Sequence, residues 1–274
     1  MFQDTNYLRD EQYRDSGNLS ARAGLHQRFS SNPTGWHIWA FAQMALQPGE
    51  CILECGCGPG WLWRRNLEHL PADCHITLTD LSPGMVTEAE RTLAASGRLF
   101  QFMTVDIQAL PFEDASFDAV IANHMLYHVP NRDRAFAEIV RVLKPDGRFY
   151  AATNGRNHMR ELWEMGAQLF PAIASHITQS GLQFSLENGR EELERWFVDV
   201  SLRRYEDSLV VTEPEPLIAY ITSSIRARAT LSDAMLDRVV NHVKHRIAAQ
   251  GAFHIAKDTG LFTAQGKKDE AATP

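Results

Sequence analysis

Strand-like and helix-like segments alternate along the chain between residues 51 and 154, and this order restricts the fold more than any other feature. Short apolar or β-branched runs predict five strands, at residues 51–56, 75–80, 100–106, 117–126 and 148–154. Ser82 and Pro83 supply a cap and a first helical residue, while a proline and a glycine stop a later helix near residue 145. Strands that alternate with helices at this spacing predict an α/β fold, with a parallel sheet covered by helices on both faces.

The composition narrows the class of protein. Of the 274 residues, 22% are charged and 44% hydrophobic, as in soluble globular proteins. The net charge of −7 argues against non-specific binding to nucleic acid or anionic membranes, since both need a basic surface. No apolar run approaches the ~20 residues of a membrane helix, and the polar start MFQDTNYLRDEQYRD does not resemble a signal peptide. We therefore expect a cytoplasmic protein with no nucleic acid partner, no membrane insertion and reduced cysteines.

The stretch CILECGCGPG, residues 51–60, permits three interpretations: a metal site, a nucleotide-binding turn, or an ordinary strand with its turn. Zinc needs four convergent ligands, usually in short paired spacings. Here Cys51 and Cys55 belong to a predicted strand, Cys57 lies in the turn, and Cys74 lies in a different loop. This mismatch disfavours a metal, and small buried thiols are the simpler explanation.

The nucleotide interpretation divides into two. A dinucleotide-binding turn has the pattern G-x-G-x-x-G, whereas Gly56, Gly58 and Gly60 give G-x-G-x-G, and Trp61 stands where the third glycine is required. A bulky indole at that position obstructs the close packing of helix on strand. An NAD(P)-dependent oxidoreductase is thereby disfavoured and stays as an alternative. Asp80 suits either cofactor, because a carboxylate accepts two hydrogen bonds from ribose hydroxyls.

Polar residues stand at the carboxyl ends of four of the predicted strands, at the same topological level. They are Glu54 with the glycine turn, Asp80, Asp106 and Asn123. Parallel sheets bind ligands in a crevice beyond the carboxyl ends of their strands. We therefore expect these residues to converge on one ligand site.

With these residues, the chain resembles a class I S-adenosylmethionine (SAM)-dependent methyltransferase of the small-molecule type, similar to the ubiquinone/menaquinone methyltransferase group. The matching motifs are ILECGCGPG, TLTDLSPGM, VDIQALPFEDASFDAVIANHMLYHV and RVLKPDGRFYAATN, which cover about residues 48–155. The resemblance implies SAM as cofactor, S-adenosylhomocysteine (SAH) as product, and a Rossmann-like sheet of seven mostly parallel strands, the last one antiparallel. It also implies methyl transfer to oxygen, nitrogen or carbon of a small-molecule acceptor by in-line displacement.

The resemblance assigns cofactor binding to nine positions: Glu54, Gly56, Cys57, Gly58, Asp80, Leu81, Asp106, Ile107 and Asn123. Asp80 would bind the ribose, Asp106 and the Ile107 amide the adenine, and Asn123 the methionine portion. The methionine carries an ammonium and a carboxylate, so it needs an acid and free backbone N–H groups. Glu54 and the glycine turn are expected to supply both.

Two histidines in NHMLYHVP are candidate catalytic residues, namely His124 and His128. A general base is needed only when the acceptor loses a proton during attack. His124 is the preferred candidate, because His128 resembles a position that is often histidine for structural reasons in this family. A mechanism without any base is the third option.

The flanking segments are expected to define the acceptor. The predicted organisation is an N-terminal helical lid (1–47), a cofactor-binding half (48–155), a helical cap insertion after the fifth strand (156–197), the remainder of the sheet (198–266) and a flexible tail (267–274). Within it, VDVSLRRYEDSLVV predicts a sixth strand over 198–211, and residues 260–264 predict a seventh.

The insertion carries Met159 and Met165 among other apolar residues. Methionine-bearing helices suit an apolar acceptor, although such stripes more often belong to the core. A second stripe, at 3.6-residue spacing, predicts a packed helix near the C-terminus and consists of Leu231, Met235, Val239, Val243 and Ile247. A catalytically silent, methyltransferase-like binding protein remains a further alternative, and the sequence leaves open whether the chain forms a homo-oligomer.

Overall fold

Nine β-strands organise the residues that the computed structural model describes, which are 5–171, 183–223 and 231–268. They are β1 (Cys51–Cys55), β2 (His75–Asp80), β3 (Phe100–Thr104), β4 (Phe117–Asn123), β5 (Leu143–Asn154), β6 (Phe197–Tyr205), β7 (Ser208–Val211), β8 (Phe253–Ala256) and β9 (Thr259–Lys267). Seven of them form one sheet in the order β3-β2-β1-β4-β5-β9-β6. β1 pairs in parallel with β2 and β4, and β9 is antiparallel to both of its neighbours. The predicted seven-stranded sheet with an antiparallel last strand is confirmed.

Helices lie around this sheet. They are α1 (Thr5–Tyr7), which continues as a π-helical turn (Leu8–Gln12), α2 (Gly17–Phe29), α3 (Trp36–Met44), α4 (Trp61–Arg65), α5 (Pro83–Leu93), α6 (Arg132–Val142), α7 (Arg160–Leu169), α8 (Gly189–Glu194), α9 (Pro214–Thr222) and α10 (Asp233–Gln250). Ser82 caps α5 as predicted, because its hydroxyl accepts the amide of Met85 at 3.3 Å, with Pro83 as the first helical residue.

Both faces of the sheet are buried. Ile52 and Leu53 are adjacent in β1 and fully buried, and they belong to two different apolar clusters because successive strand residues point to opposite faces. Trp63 of α4 belongs to one cluster and Phe136 of α6 to the other. The helices on both faces, predicted from the alternating pattern, are confirmed.

A third apolar cluster joins the flanking segments, namely α2, α7, α9, α10 and the β7–β8 pair. Val239 and Val243 are buried in it, and the other residues of the predicted C-terminal stripe pack against it. Met159 and Met165 are likewise buried there, at 1% and 4% exposure. The methionines of the insertion are therefore core residues, which removes the reason for expecting them to wall an apolar acceptor.

The single strand predicted over 198–211 is wrong. β6 ends at Tyr205, and β7 begins at Ser208 and pairs with β8 in a separate two-stranded sheet. The chain turns at Asp207, whose carboxylate accepts the Asn32 amide at 3.0 Å and pairs with Lys257. A buried acid held by these donors fixes a corner that the apolar pattern does not reveal.

The ends of other elements also differ from the predictions. β4 ends at Asn123 and is followed by a 3₁₀ turn (Leu126–His128), where the sequence predicted strand to residue 126. β9 extends to Lys267, the first residue of the predicted tail, and the Lys267 ammonium donates to the Leu143 carbonyl at 2.9 Å. Residues 269–274 lie outside the described residues. The other segment boundaries stay predictions.

Within the described ranges, no helix combines the length and the apolar character that crossing a membrane requires.

Candidate functional site

A cavity of about 1060 Å³ opens beyond the carboxyl ends of β1, β2 and β4. All eleven sequence-predicted site residues line it: Glu54, Gly56, Cys57, Gly58, Asp80, Leu81, Asp106, Ile107, Asn123, His124 and His128. The structure thus brings together residues from four strand ends and the segments that follow them. This volume slightly exceeds the ~300–1,000 Å³ that is typical of small-molecule and cofactor sites.

The glycine turn shapes one wall of this cavity. Gly56, Gly58 and Gly60 all have positive φ, at 72°, 53° and 75°, a region in which side chains are strained. A Cβ on Gly56 would stand 2.8 Å from the Met125 side chain, whereas a Cβ on Gly58 would meet no atom within 4 Å. Since Gly58 lines the cavity, its missing side chain leaves space for a ligand to approach the backbone.

The amides of the turn have protein partners. The Cys57 amide donates to the Thr79 carbonyl at 2.9 Å, that of Gly58 to Asp80 Oδ2 at 3.0 Å, and that of Gly60 to the Cys57 carbonyl at 3.1 Å. The expectation that the turn offers free N–H groups is wrong for these three positions. The turn contributes open space and a fixed backbone there, because its donors are already used within the protein.

Glu54, at the end of β1, is a buried acid with 2% exposure. Its carboxyl group accepts the indole N–H of Trp63 at 2.6 Å. Burial raises the pKa of Glu54 to about 8, against the opposing hydrogen bonds from Trp63 and Asn123. The Oδ1 atom of Asn123 is buried without a hydrogen-bond partner in the described residues. A buried acceptor without a donor is costly, so this corner is suited to a ligand that brings N–H donors or a positive charge.

Asp80, at the end of β2, has a different environment. Its Oδ2 accepts the Gly58 amide at 3.0 Å and its Oδ1 accepts the Ser82 amide at 2.9 Å. Burial raises the pKa of Asp80, and these backbone hydrogen bonds oppose the rise. A carboxylate has about four lone-pair sites, so the group can accept two further hydrogen bonds from a ligand.

Asp106 and Ile107 follow β3. The carboxylate of Asp106 accepts the Gln108 amide at 2.9 Å, and the Gln108 side chain donates to the same group. Ile107 is buried in the sheet core and also lines the cavity. These contacts fix the position of the Asp106 carboxylate at the cavity wall.

The two histidines occupy different positions. His124 has a positive φ of 54°, and its amide donates to the Ala152 carbonyl. The centroid of its ring lies 5.0 Å from that of the Trp36 ring, in an edge-to-face arrangement. Burial lowers the pKa of His124 to about 4, so the ring is neutral at pH 7. The Nε2 atom of His128 shares a hydrogen bond of 3.0 Å with the Tyr13 hydroxyl, which ties the N-terminal segment to the cavity wall.

Several lining residues had no assigned role in the sequence. They come from the flanks and are Arg22, His158, Tyr220 and Lys257. No motif surrounds any of them, and they meet only because α2, α9 and the β7–β8 pair pack together. Tyr13, His26 and Trp36, from the predicted N-terminal lid, also line the cavity.

The cysteines are free thiols, and Cys55 and Cys57 are buried. Burial raises the pKa of the Cys57 thiol well above its usual value, so it stays protonated. Across the described ranges, no group of three or more histidine, cysteine or acidic side chains is arranged to hold a metal ion.

Comparisons with known proteins agree with this geometry. Residues 53–151 match the model of a family described as a methyltransferase domain. The chain is 35% identical over 116 residues to the demethylmenaquinone methyltransferase of Symbiobacterium thermophilum, covering 42% of this chain and 46% of that protein. It is 34% identical over 117 residues to the malonyl-[acyl-carrier protein] O-methyltransferase of Erwinia billingiae, covering 42% and 43%. The chain thus spans about half the length of the curated relatives it matches.

Solved structures share the fold. Phosphoethanolamine N-methyltransferase 2 of Haemonchus contortus, in complex with SAM, aligns with a TM-score of 0.59 at 21% identity, over 98% of this chain and 60% of that one. The [4+2]-cyclase SpnF aligns with a TM-score of 0.58 at 19% identity, over 95% and 96%. At these identities the structural likeness establishes the fold alone.

Residues 53–151 therefore match a methyltransferase domain, and the fold is that of the class I SAM-dependent methyltransferases, for which SAM is the methyl donor. Within that class, the relatives include the ubiquinone/menaquinone C-methyltransferase of Brucella anthropi, 31% identical over 129 residues that cover 46% of this chain and 47% of that protein. The resemblance predicted from the motifs is confirmed.

Proposed function

We propose that the protein transfers the methyl group of SAM to a small-molecule acceptor by in-line displacement. The observation that carries this proposal is the convergence of Glu54, Asp80, Asp106 and Asn123 on one cavity, with open space beside Gly58. SAM supplies an electrophilic methyl group on a sulfonium, so the protein has to bind, align and exclude water. We further propose that it is cytoplasmic and does not bind nucleic acid, in keeping with its net charge of −7.

The residues around the cavity fit the chemical groups of SAM. The unpartnered Oδ1 of Asn123 and the acid of Glu54 suit an ammonium group. Asp80 keeps acceptor capacity for a pair of ribose hydroxyls after its two backbone hydrogen bonds. Gly58 allows close approach, because no Cβ fills the space in front of it. We assign Asp106 and Ile107, with Leu81 and Cys57, to the remaining wall of the same cofactor site.

The acceptor then occupies the part of the cavity formed by the flanking segments. A neutral histidine can accept a proton, and His124 is neutral at pH 7 because burial holds its pKa near 4. A base with so low a pKa is weak near neutrality. We therefore assign His124 to orienting the acceptor and to accepting its proton where one is lost. His128, bonded to Tyr13, positions the N-terminal segment over the cavity.

The test is methyl transfer itself, measured as SAH formed from SAM in the presence of a panel of small oxygen, nitrogen and carbon acceptors. Asp80→Ala should weaken SAM binding at least tenfold, which corresponds to about 1.4 kcal/mol, and should reduce SAH formation at subsaturating SAM. Unchanged affinity in the Asp80 variant would refute the ribose role. SAM binding with no SAH formed from any acceptor would favour the catalytically silent alternative.

A further inference from the structure

Charge is divided unevenly around the cavity. Among the described lining residues, only three are carboxylic acids, and these are Glu54, Asp80 and Asp106. All three lie at or just beyond the carboxyl ends of strands in the cofactor-binding half. The lining contributed by the flanking segments contains cationic, histidine and tyrosine side chains and no carboxylate. An acceptor bound there meets no anionic partner, so this part of the cavity does not favour a cationic acceptor.

Arg22 is the half-buried cation of this region without an acidic partner. No carboxylate of the described residues lies within 4 Å of its guanidinium. By contrast, Arg9 pairs with Asp10 at 2.6 Å, and Lys257 pairs with the fully buried Asp207. Arg65, the other cation of the lining, is exposed.

The position of the Arg22 side chain is fixed by a hydrogen bond to Ser223, which follows α9. Its Nε donates to the Ser223 hydroxyl at 2.9 Å, and that hydroxyl donates in turn to the Tyr220 carbonyl at 2.7 Å. Only one of the five N–H donors of the guanidinium is used in this bond. The group is therefore held in one place while further donors remain for a ligand.

The Arg22 guanidinium acts electrostatically on three tyrosines that line the cavity. These are Tyr13, Tyr127 and Tyr220, and the charge opposes the rise in pKa that burial causes in each of them. Within the described residues, the hydroxyls of Tyr127 and Tyr220 neither donate nor accept a hydrogen bond. Both side chains line the cavity. Phenol hydroxyls beside a fixed guanidinium form a set of donors for an acidic oxygen group.

The neighbouring histidines do not add charge. Burial lowers the pKa of His26 to about 3, and it lowers that of His158 well below its usual value. Both rings are neutral at pH 7, and they stack with a centroid separation of 6.3 Å. The net charge of this part of the cavity is therefore set by Arg22.

We propose that the methyl acceptor carries an acidic oxygen group, a carboxylate or a phosphate, which Arg22 binds together with the hydroxyls of Tyr127 and Tyr220. A guanidinium pairs with either group through two parallel N–H···O bonds. Such a bond at a remote end of the acceptor orients its reactive atom, which is the main task of the protein in this reaction. The proposal rests on the proposed methyltransferase function and names the acceptor class for the same site.

The experiment titrates the SAH-saturated protein with four probes of similar size: phenyl phosphate, benzoate, benzyl alcohol and benzylamine. Calorimetry or amide chemical-shift changes give the affinities. At least one acidic probe should bind at least tenfold more tightly than the alcohol and the amine, and the preferred one distinguishes phosphate from carboxylate. Arg22→Gln should weaken that probe at least tenfold, and Arg22→Lys less, because Lys keeps the charge without the planar fork.

Arg28→Gln is the matched control, since Arg28 lies on the same helix, outside the cavity, and pairs with Glu213 at 2.6 Å. It should bind the acidic probe like the wild type. Unchanged SAH affinity shows that each variant is folded. Ser223→Ala removes the hydrogen bond that fixes the guanidinium but leaves the charge in place, so it should weaken binding of the acidic probe less than Arg22→Gln does.

Equal binding of the acidic probe to wild type and Arg22→Gln would overturn the proposal, as would equal binding of acidic and neutral probes to the wild type. Failure of the wild type to bind either acidic probe would also overturn it. Failure to bind SAH would instead contradict the proposed function, and the same probes added to the free protein would still test the acidic subsite.

Discussion

Glu54→Gln tests how the buried acid of β1 is used. In the free protein, burial holds the pKa of Glu54 at about 8, so roughly one molecule in eleven is ionised there at pH 7. Binding an ammonium group favours the ionised acid, and each pH unit below the pKa then costs about 1.4 kcal/mol, or tenfold in affinity. The affinity of the wild type for SAH should therefore rise close to tenfold from pH 6 to pH 7, and should level off near pH 8.

The glutamine variant keeps a carbonyl oxygen for the Trp63 indole but cannot ionise. Its affinity for SAH should lack this rise. Calorimetric titrations of both proteins between pH 6 and pH 8 give the ratio of their affinities, in which the titration of the ligand's own amine cancels. The two proteins should bind SAH within about threefold at pH 6, and the wild type should bind at least tenfold more tightly at pH 8, from the ~1.5–3 kcal/mol of a charged hydrogen bond.

The stability of the free protein provides the second readout. A raised pKa in the folded state means that Glu54 contributes stability fully below its unfolded pKa, and that this contribution is lost as the pH rises toward 8. At pH 7 the loss is roughly 3 kcal/mol relative to acid pH, and the glutamine variant avoids it. Denaturant unfolding without ligand should show the variant to be the more stable protein at pH 7. An SAH affinity that changes equally with pH in both proteins would refute this account of Glu54.

Three further perturbations address the glycine turn, the candidate base and the N-terminal segment. Gly58→Ala and Gly97→Ala both place a Cβ at positive φ with no atom within 4 Å, so each should lower the free energy of unfolding by about 1–2 kcal/mol in denaturant unfolding. Only Gly58→Ala should weaken SAH binding, because only Gly58 lines the cavity. Equal SAH affinity in both variants would contradict the role of Gly58 in admitting the ligand. His124→Ala should slow SAH formation while changing SAM affinity less than threefold. Because the pKa of His124 is about 4, titration of this residue should cause no loss of wild-type activity between pH 8 and pH 6. An unaltered rate of SAH formation in the variant would show that His124 has no role in the reaction. Deletion of residues 1–20 removes Tyr13 and its bond to His128, and should abolish turnover if the segment covers the site, whereas full activity would reduce the segment to packing.

Much of the cofactor half could be predicted because its signals are local. Glu54, Asp80 and Asn123 each end an apolar run, and the parallel sheet brings such positions to one edge. The glycine spacing reports a backbone conformation, since positive φ at Gly56 and Gly58 is readily available only without a Cβ. These features depend on secondary structure and sheet order, which periodicity and turn residues reveal.

The contacts that the flanking segments make with one another could not be predicted, because they are not local. Arg22 and Ser223 meet across 201 residues of sequence, and no pattern in either segment indicates the other. The corner at Asp207 was missed because a buried acid paired with Lys257 interrupts an apolar run that otherwise predicts one strand. The sequence also could not show that amides of the glycine turn already have hydrogen-bond partners, since the bond from the Gly58 amide to Asp80 exists only in the folded chain.

The most direct test of the account is calorimetric titration of the purified protein with SAM and SAH, with NADH as the control. The predicted result is micromolar binding of SAM and SAH without binding of NADH, because the glycine turn and the strand-end acids fit SAM and SAH. Binding of NADH with no binding of SAM or SAH would contradict the account.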